Sequence, residues 1–92
     1  MTEQEVKDAL IESGFEDTVL YTNPSYSKAF VGVSSDGIAI YDRETMIQCL
    51  VEEGMDEMDA LERVEYNCIG AKGHGLPIVI DVINPAFGGI GI

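Results

Sequence analysis

A small α+β domain is the expectation for this 92-residue chain, and three observations carry it. Apolar residues recur at helical spacing in three stretches, and β-rich runs sit between glycine and proline breaks. The composition is globular, with 46% hydrophobic and 24% charged residues. The order expected is helix, strand, hairpin, two helices, strand: a small antiparallel-containing sheet of about four strands, with three helices covering one face. The length fits a single domain over 1–92 that buries roughly two-thirds of its unfolded surface.

Each element has a local reason. Thr2 and Glu5 have capping-box spacing ahead of a helix that carries Val6, Ala9 and Leu10 on one stripe. Gly14 ends it, with Phe15 placed for the apolar contact that follows a left-handed glycine cap. Residues 18–22 (TVLYT) are rich in β-formers and read as a first strand. Asn23-Pro24-Ser25 breaks that strand, because proline donates nothing to a ladder and restricts its predecessor. A hairpin follows. A two-residue type I′ turn at Asp36-Gly37 sets Val33 opposite Ile40 and Val31 opposite Asp42, with Ile38 on the same, nearly all β-branched face.

After Asp42 the period becomes helical. Met46, Ile47, Leu50 and Val51 form a stripe that stops at Gly54. Asp56 caps the next helix, which turns Met58, Ala60, Leu61, Val64 and Cys68 inward and Asp59, Glu62, Arg63 and Tyr66 outward. Gly70, Gly73 and Gly75 loosen the chain before residues 76–82 (LPIVIDV), a strand buried on at least one face and held to an edge or entry position by Pro77. The uncharged tail 84–92 admits three readings: strand extension, docking on a partner, or a loose end.

Charge narrows the function. Seventeen Asp and Glu face five Lys and Arg, a formal −12, which repels phosphate and anionic lipid and attracts basic grooves. Direct nucleic-acid binding and membrane binding are therefore excluded as expectations. The start, MTEQEVKDAL, lacks a basic region followed by an apolar one, so a cytoplasmic location is expected. Cys49 and Cys68 fall in helical stretches without C-x-x-C spacing and read as buried free thiols.

Local motifs point away from catalysis. The glycine run at 70–75 follows a helix and precedes a strand, whereas a phosphate loop needs the reverse order, so helix termination explains it better. His74 is the only histidine, and a cysteine nucleophile would need it together with an orienting group. Asp42 and Glu44 flank Arg43 as a metal pair would, yet an N-cap followed by a first-turn carboxylate accounts for both. Glu5-Val6-Lys7 echoes half of a nuclease signature in a helix start, without partner carboxylates. No catalytic, cofactor-binding or metal residue is assigned, no cofactor is expected, and the chain reads as a non-enzyme.

The acidic run is the main candidate. Glu52, Glu53, Asp56, Glu57, Asp59, Glu62 and Glu65 place seven carboxylates in fourteen residues against the single cation Arg63. Like charges at 52/56 and 53/57 repel by a few tenths of a kcal/mol each. Ordered carboxylates on a rigid helix would offset that by filling a basic groove in place of a phosphate backbone. The candidate partner-binding set is Glu53, Glu57, Asp59, Glu62 and Tyr66, with Tyr66 as the anchor. Plain solubility is the competing account.

Four segments then carry a resemblance: Tyr41-Asp42-Arg43-Glu44-Thr45-Met46, Glu53-Gly54-Met55, Glu65-Tyr66-Asn67-Cys68-Ile69-Gly70-Ala71 and Leu76-Pro77-Ile78-Val79-Ile80. Together with Asn23-Pro24-Ser25-Tyr26, Val31-Gly32-Val33 and Asp36-Gly37, they resemble, over about residues 1–80, a pattern of small acidic phage and prophage proteins without an assigned activity. The pattern runs Y-D-x-x-x-M, G-M, Y-N-x-I-x-A, P-I. Here Cys68 stands where Thr is usual and Gly70 where Arg is usual. The resemblance implies a mobile-element setting and brings no catalytic residue with it. By analogy with anti-CRISPR inhibitors, it suggests a protein that docks on a basic surface of a host nucleoprotein, with nucleic-acid mimicry as one form of that docking. The alternative is a self-associating assembly or housekeeping module, a homo-oligomer with the acidic surface serving solubility.

Overall fold

The structure, a computed structural model, describes residues 2–22, 24–69 and 75–83. It is α+β, with three α-helices and a three-stranded mixed sheet among the described residues. The tail 84–92, the His74 loop and Lys72 lie outside them.

Helix α1 (Glu3–Glu12) begins with the expected capping box. The Thr2 hydroxyl accepts from the Glu5 N–H at 3.2 Å, and the Glu5 carboxylate accepts from the Thr2 N–H at 2.8 Å. The same contacts hold the Glu5 carboxyl below its ordinary pKa. Gly14 stops the helix at φ +86°, with the Phe15 N–H donating to the Leu10 carbonyl and the Gly14 N–H to Ile11, which is a Schellman cap. Val6 and Leu10 are buried, outside the main core cluster.

Residues 18–22 are not a strand, which corrects the four-strand expectation to three strands. Side chains and turns take up their polar groups instead. The Thr18 N–H donates to the Phe15 carbonyl, the Thr18 hydroxyl to the Gly37 carbonyl at 2.9 Å, and the Tyr21 N–H to the Tyr41 hydroxyl at 3.3 Å. β-propensity expresses itself only where a ladder partner is available, and this segment has none.

The hairpin pairs β1 (Phe30–Val33) with β2 (Ala39–Asp42) one residue out of the expected register. Ser34 closes the turn twice, accepting from the Gly37 N–H and donating to the Ile38 carbonyl, each at 2.9 Å. The loop is therefore Ser35-Asp36-Gly37, a three-residue connection with Gly37 left-handed at φ +82°. A one-residue shift exchanges the faces of a strand. Val33 lies opposite Ala39 and Gly32 opposite Ile40, so the inward residues of β2 are Ala39 and Tyr41 rather than a β-branched row. An irregularity between Phe30 and Gly32 leaves Val31 51% exposed.

β3 (Ile78–Ile80) pairs in parallel with β2, Tyr41 facing Val79, and forms one edge of the order β1-β2-β3. It is shorter than the expected 76–82, and Pro77 stands just before it. Val79 packs on the core, while Ile78 and Ile80 remain exposed.

Helices α2 (Arg43–Glu52) and α3 (Glu57–Val64) supply the core that meets the Ala39 and Tyr41 face. Asp42 caps α2 by accepting from the Thr45 N–H, and Asp56 caps α3 by accepting from the Met58 N–H at 3.2 Å. Gly54 ends α2 at φ +102°, with the Met55 N–H donating back to the Leu50 carbonyl. Met46, Ile47 and Leu50 from α2 meet Ala60 and Val64 from α3. Met58, expected inward, is 63% exposed, because it precedes exposed Glu62 at i+4 and lies about 120° around α3 from buried Val64. From Glu65 to Ile69 the helix widens to π geometry, which the α periodicity did not anticipate.

Candidate functional site

All five expected partner-binding residues, Glu53, Glu57, Asp59, Glu62 and Tyr66, are on the surface. They do not form one face. At about 100° per residue, Asp59 and Glu62 lie about 60° apart around α3, and Tyr66 follows Glu62 at i+4. Glu57 precedes Ala60 and Val64 at i+3 and i+7, so it stands at the head of the buried stripe, on the other side of the helix. Glu53 is the C-cap of α2. The stripe that remains is Asp59, Glu62 and Tyr66, with Tyr66 79% exposed.

Its charges are not neutralised by ion pairs among the described residues. Lys7 pairs with Glu3 at 3.0 Å, Lys28 with Glu52 at 3.4 Å, and Arg43 with Asp81 at 2.7 Å. Arg63 follows Asp59 at i+4 yet makes no ion pair with it; its side chain lines a cleft instead.

That cleft was not foreseen. It holds about 410 Å³ between α3 with its π-helical continuation, residues 19–22 with Pro24, and the approach to β3. Arg63 and Asn67, four residues apart, form one wall, and Tyr21 and Tyr26 form the other. Leu20, Leu76, Pro77 and Cys68 add apolar lining. Tyr26 is buried with φ +51° and ψ +31°, a left-handed conformation that costs a non-glycine residue on the order of 1–3 kcal/mol. Two uncommon backbone features, this residue and the π segment, thus border the same space.

An aromatic cluster lies behind it. Tyr21 meets Tyr26 edge-on with ring centroids 5.6 Å apart and Tyr41 at 4.9 Å, and Phe30 meets Tyr41 at 5.7 Å. Burial raises the pKa of Tyr26 from 10.0 to about 12, with the Cys68 thiol adding to the rise and Arg63 opposing it. Tyr21 and Tyr41 are raised as well, chiefly by burial. Burial pushes the Cys68 thiol up, with the neighbouring Tyr21 and Tyr26 hydroxyls opposing the rise. Half-buried Cys49 is also raised, by burial and then by Glu52. Neither thiol has the lowered pKa of an activated nucleophile. Among the described residues no three His, Cys, Asp or Glu side chains converge as a metal site requires, and no helix is long and apolar enough to cross a membrane.

The signal for the cleft was weakly present in the sequence. Tyr21, Tyr26, Tyr41 and Phe30 hold four of the chain's seven aromatic residues, but nothing in their spacing brings them together. No protein-family model, curated protein or solved structure matches the chain.

Proposed function

We propose that the protein is a non-enzymatic binding protein of a mobile element, acting in the host cytoplasm, whose acidic α3 surface docks on a basic groove of a host nucleoprotein such as a defence nuclease complex. The observation that carries this reading is the exposed stripe of Asp59, Glu62 and Tyr66, free of ion pairs among the described residues. Carboxylates held on a capped helix can displace the counterions that a basic groove would otherwise exchange for phosphate. Tyr66 supplies a large, rigid anchor of the kind that concentrates binding energy. The resemblance to small acidic phage proteins supports the setting, and the inhibitor role is an analogy.

The test is binding to a purified RNA-guided nuclease complex from low to physiological salt, using the native chain and the double variant Asp59→Lys/Glu62→Lys. Affinity should fall steeply with salt and be lost on charge reversal. Binding that ignores both salt and reversal sinks the reading.

One observation favours a second reading, self-association with the acidic surface serving solubility. Ile78 and Ile80 on edge strand β3, followed by Val82 and Ile83, leave an apolar row exposed. Under that reading Ile80→Lys shifts the chain to a smaller species on a sizing column.

A further inference from the structure

We propose that the cleft between α3 and residues 19–22 is a binding site for a small monocarboxylate with an apolar body, whose carboxylate pairs with Arg63. The inference goes beyond the acidic docking stripe and does not depend on it.

Charge distribution is the first argument. The chain holds seventeen Asp and Glu, yet the described lining of this cleft contains Arg63 and no carboxylate. Three other concave sites among the described residues each include acidic side chains: Glu52 and Glu53 beside Lys28, Glu16 beside Lys7, and Asp17 with Asp36. A cation whose described surroundings hold no carboxylate favours a negatively charged ligand, and a guanidinium matches a carboxylate with two parallel hydrogen bonds.

Donor chemistry is the second. Asn67, one helical turn beyond Arg63, adds amide donors on the same wall, and the Thr22 hydroxyl adds another from the opposite segment. Most of the remaining lining is apolar or aromatic, including Leu20, Leu76, Pro77, Tyr21 and Tyr26. A few converging polar groups in an apolar pocket are the general form of a small-molecule site, and about 410 Å³ lies within the usual range of roughly 300–1,000 Å³.

The third argument is the backbone. Left-handed Tyr26 and the π segment Glu65–Ile69 are both locally unfavourable, and both border this cleft. Single π turns recur at functional sites, and local strain at a non-glycine residue points the same way.

The experiment titrates the isotope-labelled full chain with three acids, 4-phenylbutyrate, octanoate and indole-3-propionate, and with the corresponding alcohols, following backbone amides by NMR. The expected result is saturable shifts at Tyr21, Arg63, Asn67 and Cys68 with at least one acid. Affinity should be weaker by roughly tenfold or more for its alcohol and for Arg63→Gln. Arg63→Lys, which keeps the charge and loses the fork, should fall between. Arg63 is exposed, so both variants should keep the native amide dispersion. The proposal is overturned if no acid gives saturable shifts at these amides by about 10 mM. It is equally overturned if acid and alcohol bind alike, if Arg63→Gln binds with unchanged affinity, or if the shifts map to exposed Ile78 and Ile80.

Discussion

The backbone N–H of Tyr21 donates to the phenolic oxygen of Tyr41 across 3.3 Å, with the two rings 4.9 Å apart. This contact attaches a segment without ladder partners to the central strand of the sheet, and Tyr21 also lines the Arg63 cleft. Removing the hydroxyl leaves the Tyr21 amide without that acceptor in a part-buried setting. Tyr41→Phe should therefore lower stability by about 1–2 kcal/mol, read from the midpoint of urea unfolding at unchanged slope.

Two methionines that look alike in the sequence should behave oppositely. Met46 is fully buried between the sheet and α3, so Met46→Ala should cost about 2–5 kcal/mol through lost contacts and a residual cavity. Met58 is mostly exposed, and Met58→Ala should stay within about 0.5 kcal/mol of the native chain. Thermal or urea unfolding of the pair checks this, and equal losses would contradict the placement of α3.

Stability should fall in alkali before any backbone chemistry intervenes. Burial raises the Tyr26 pKa from 10.0 to about 12, so the folded state holds this proton more tightly than the unfolded state does. That contribution is complete below about pH 10 and is lost as pH rises towards about 12. Tyr21 and Tyr41 shift in the same direction and add to the effect. Unfolding midpoints measured from about pH 9 to about pH 11 should decline, and Tyr26→Phe should flatten the decline. A constant midpoint would refute the buried tyrosine cluster.

Much of the helical framework was legible because its signals are local. Thr2 with Glu5, Asp42, and Asp56 act as caps where their spacing predicted, and Gly14 and Gly54 end helices at positive φ. Ala60, Val64 and Cys68 are inward as the helical period required. Glu57 shows the limit of that reasoning. A period says which residues share a side, but not where along the helix the neighbouring core begins.

The sheet was less legible. Alternation and a turn dipeptide located the hairpin, but the register depended on whether two or three residues form the loop, and the Ser34 hydrogen bonds decided for three. Residues 18–22 carry strand propensity and no strand partner. The acidic run divided for a related reason: adjacent carboxylates in the chain project around a helix, so Glu57 separated from Asp59 and Glu62.

The amino-acid sequence by itself determined the net charge, the helix starts with their caps, the glycine ends of the first two helices and the position of the hairpin, because each follows from composition or from interactions spanning a few residues. Only the tertiary structure decided the register of β1 on β2, the parallel placement of β3, the stripe of Asp59, Glu62 and Tyr66, and the Arg63 cleft. The cleft is assembled from residues near 20, 65 and 76, and its carboxylate-free lining arises from packing distant segments together. No local pattern records that juxtaposition, since the energy that fixes it comes from burying the Tyr21, Tyr26 and Tyr41 cluster against Cys68.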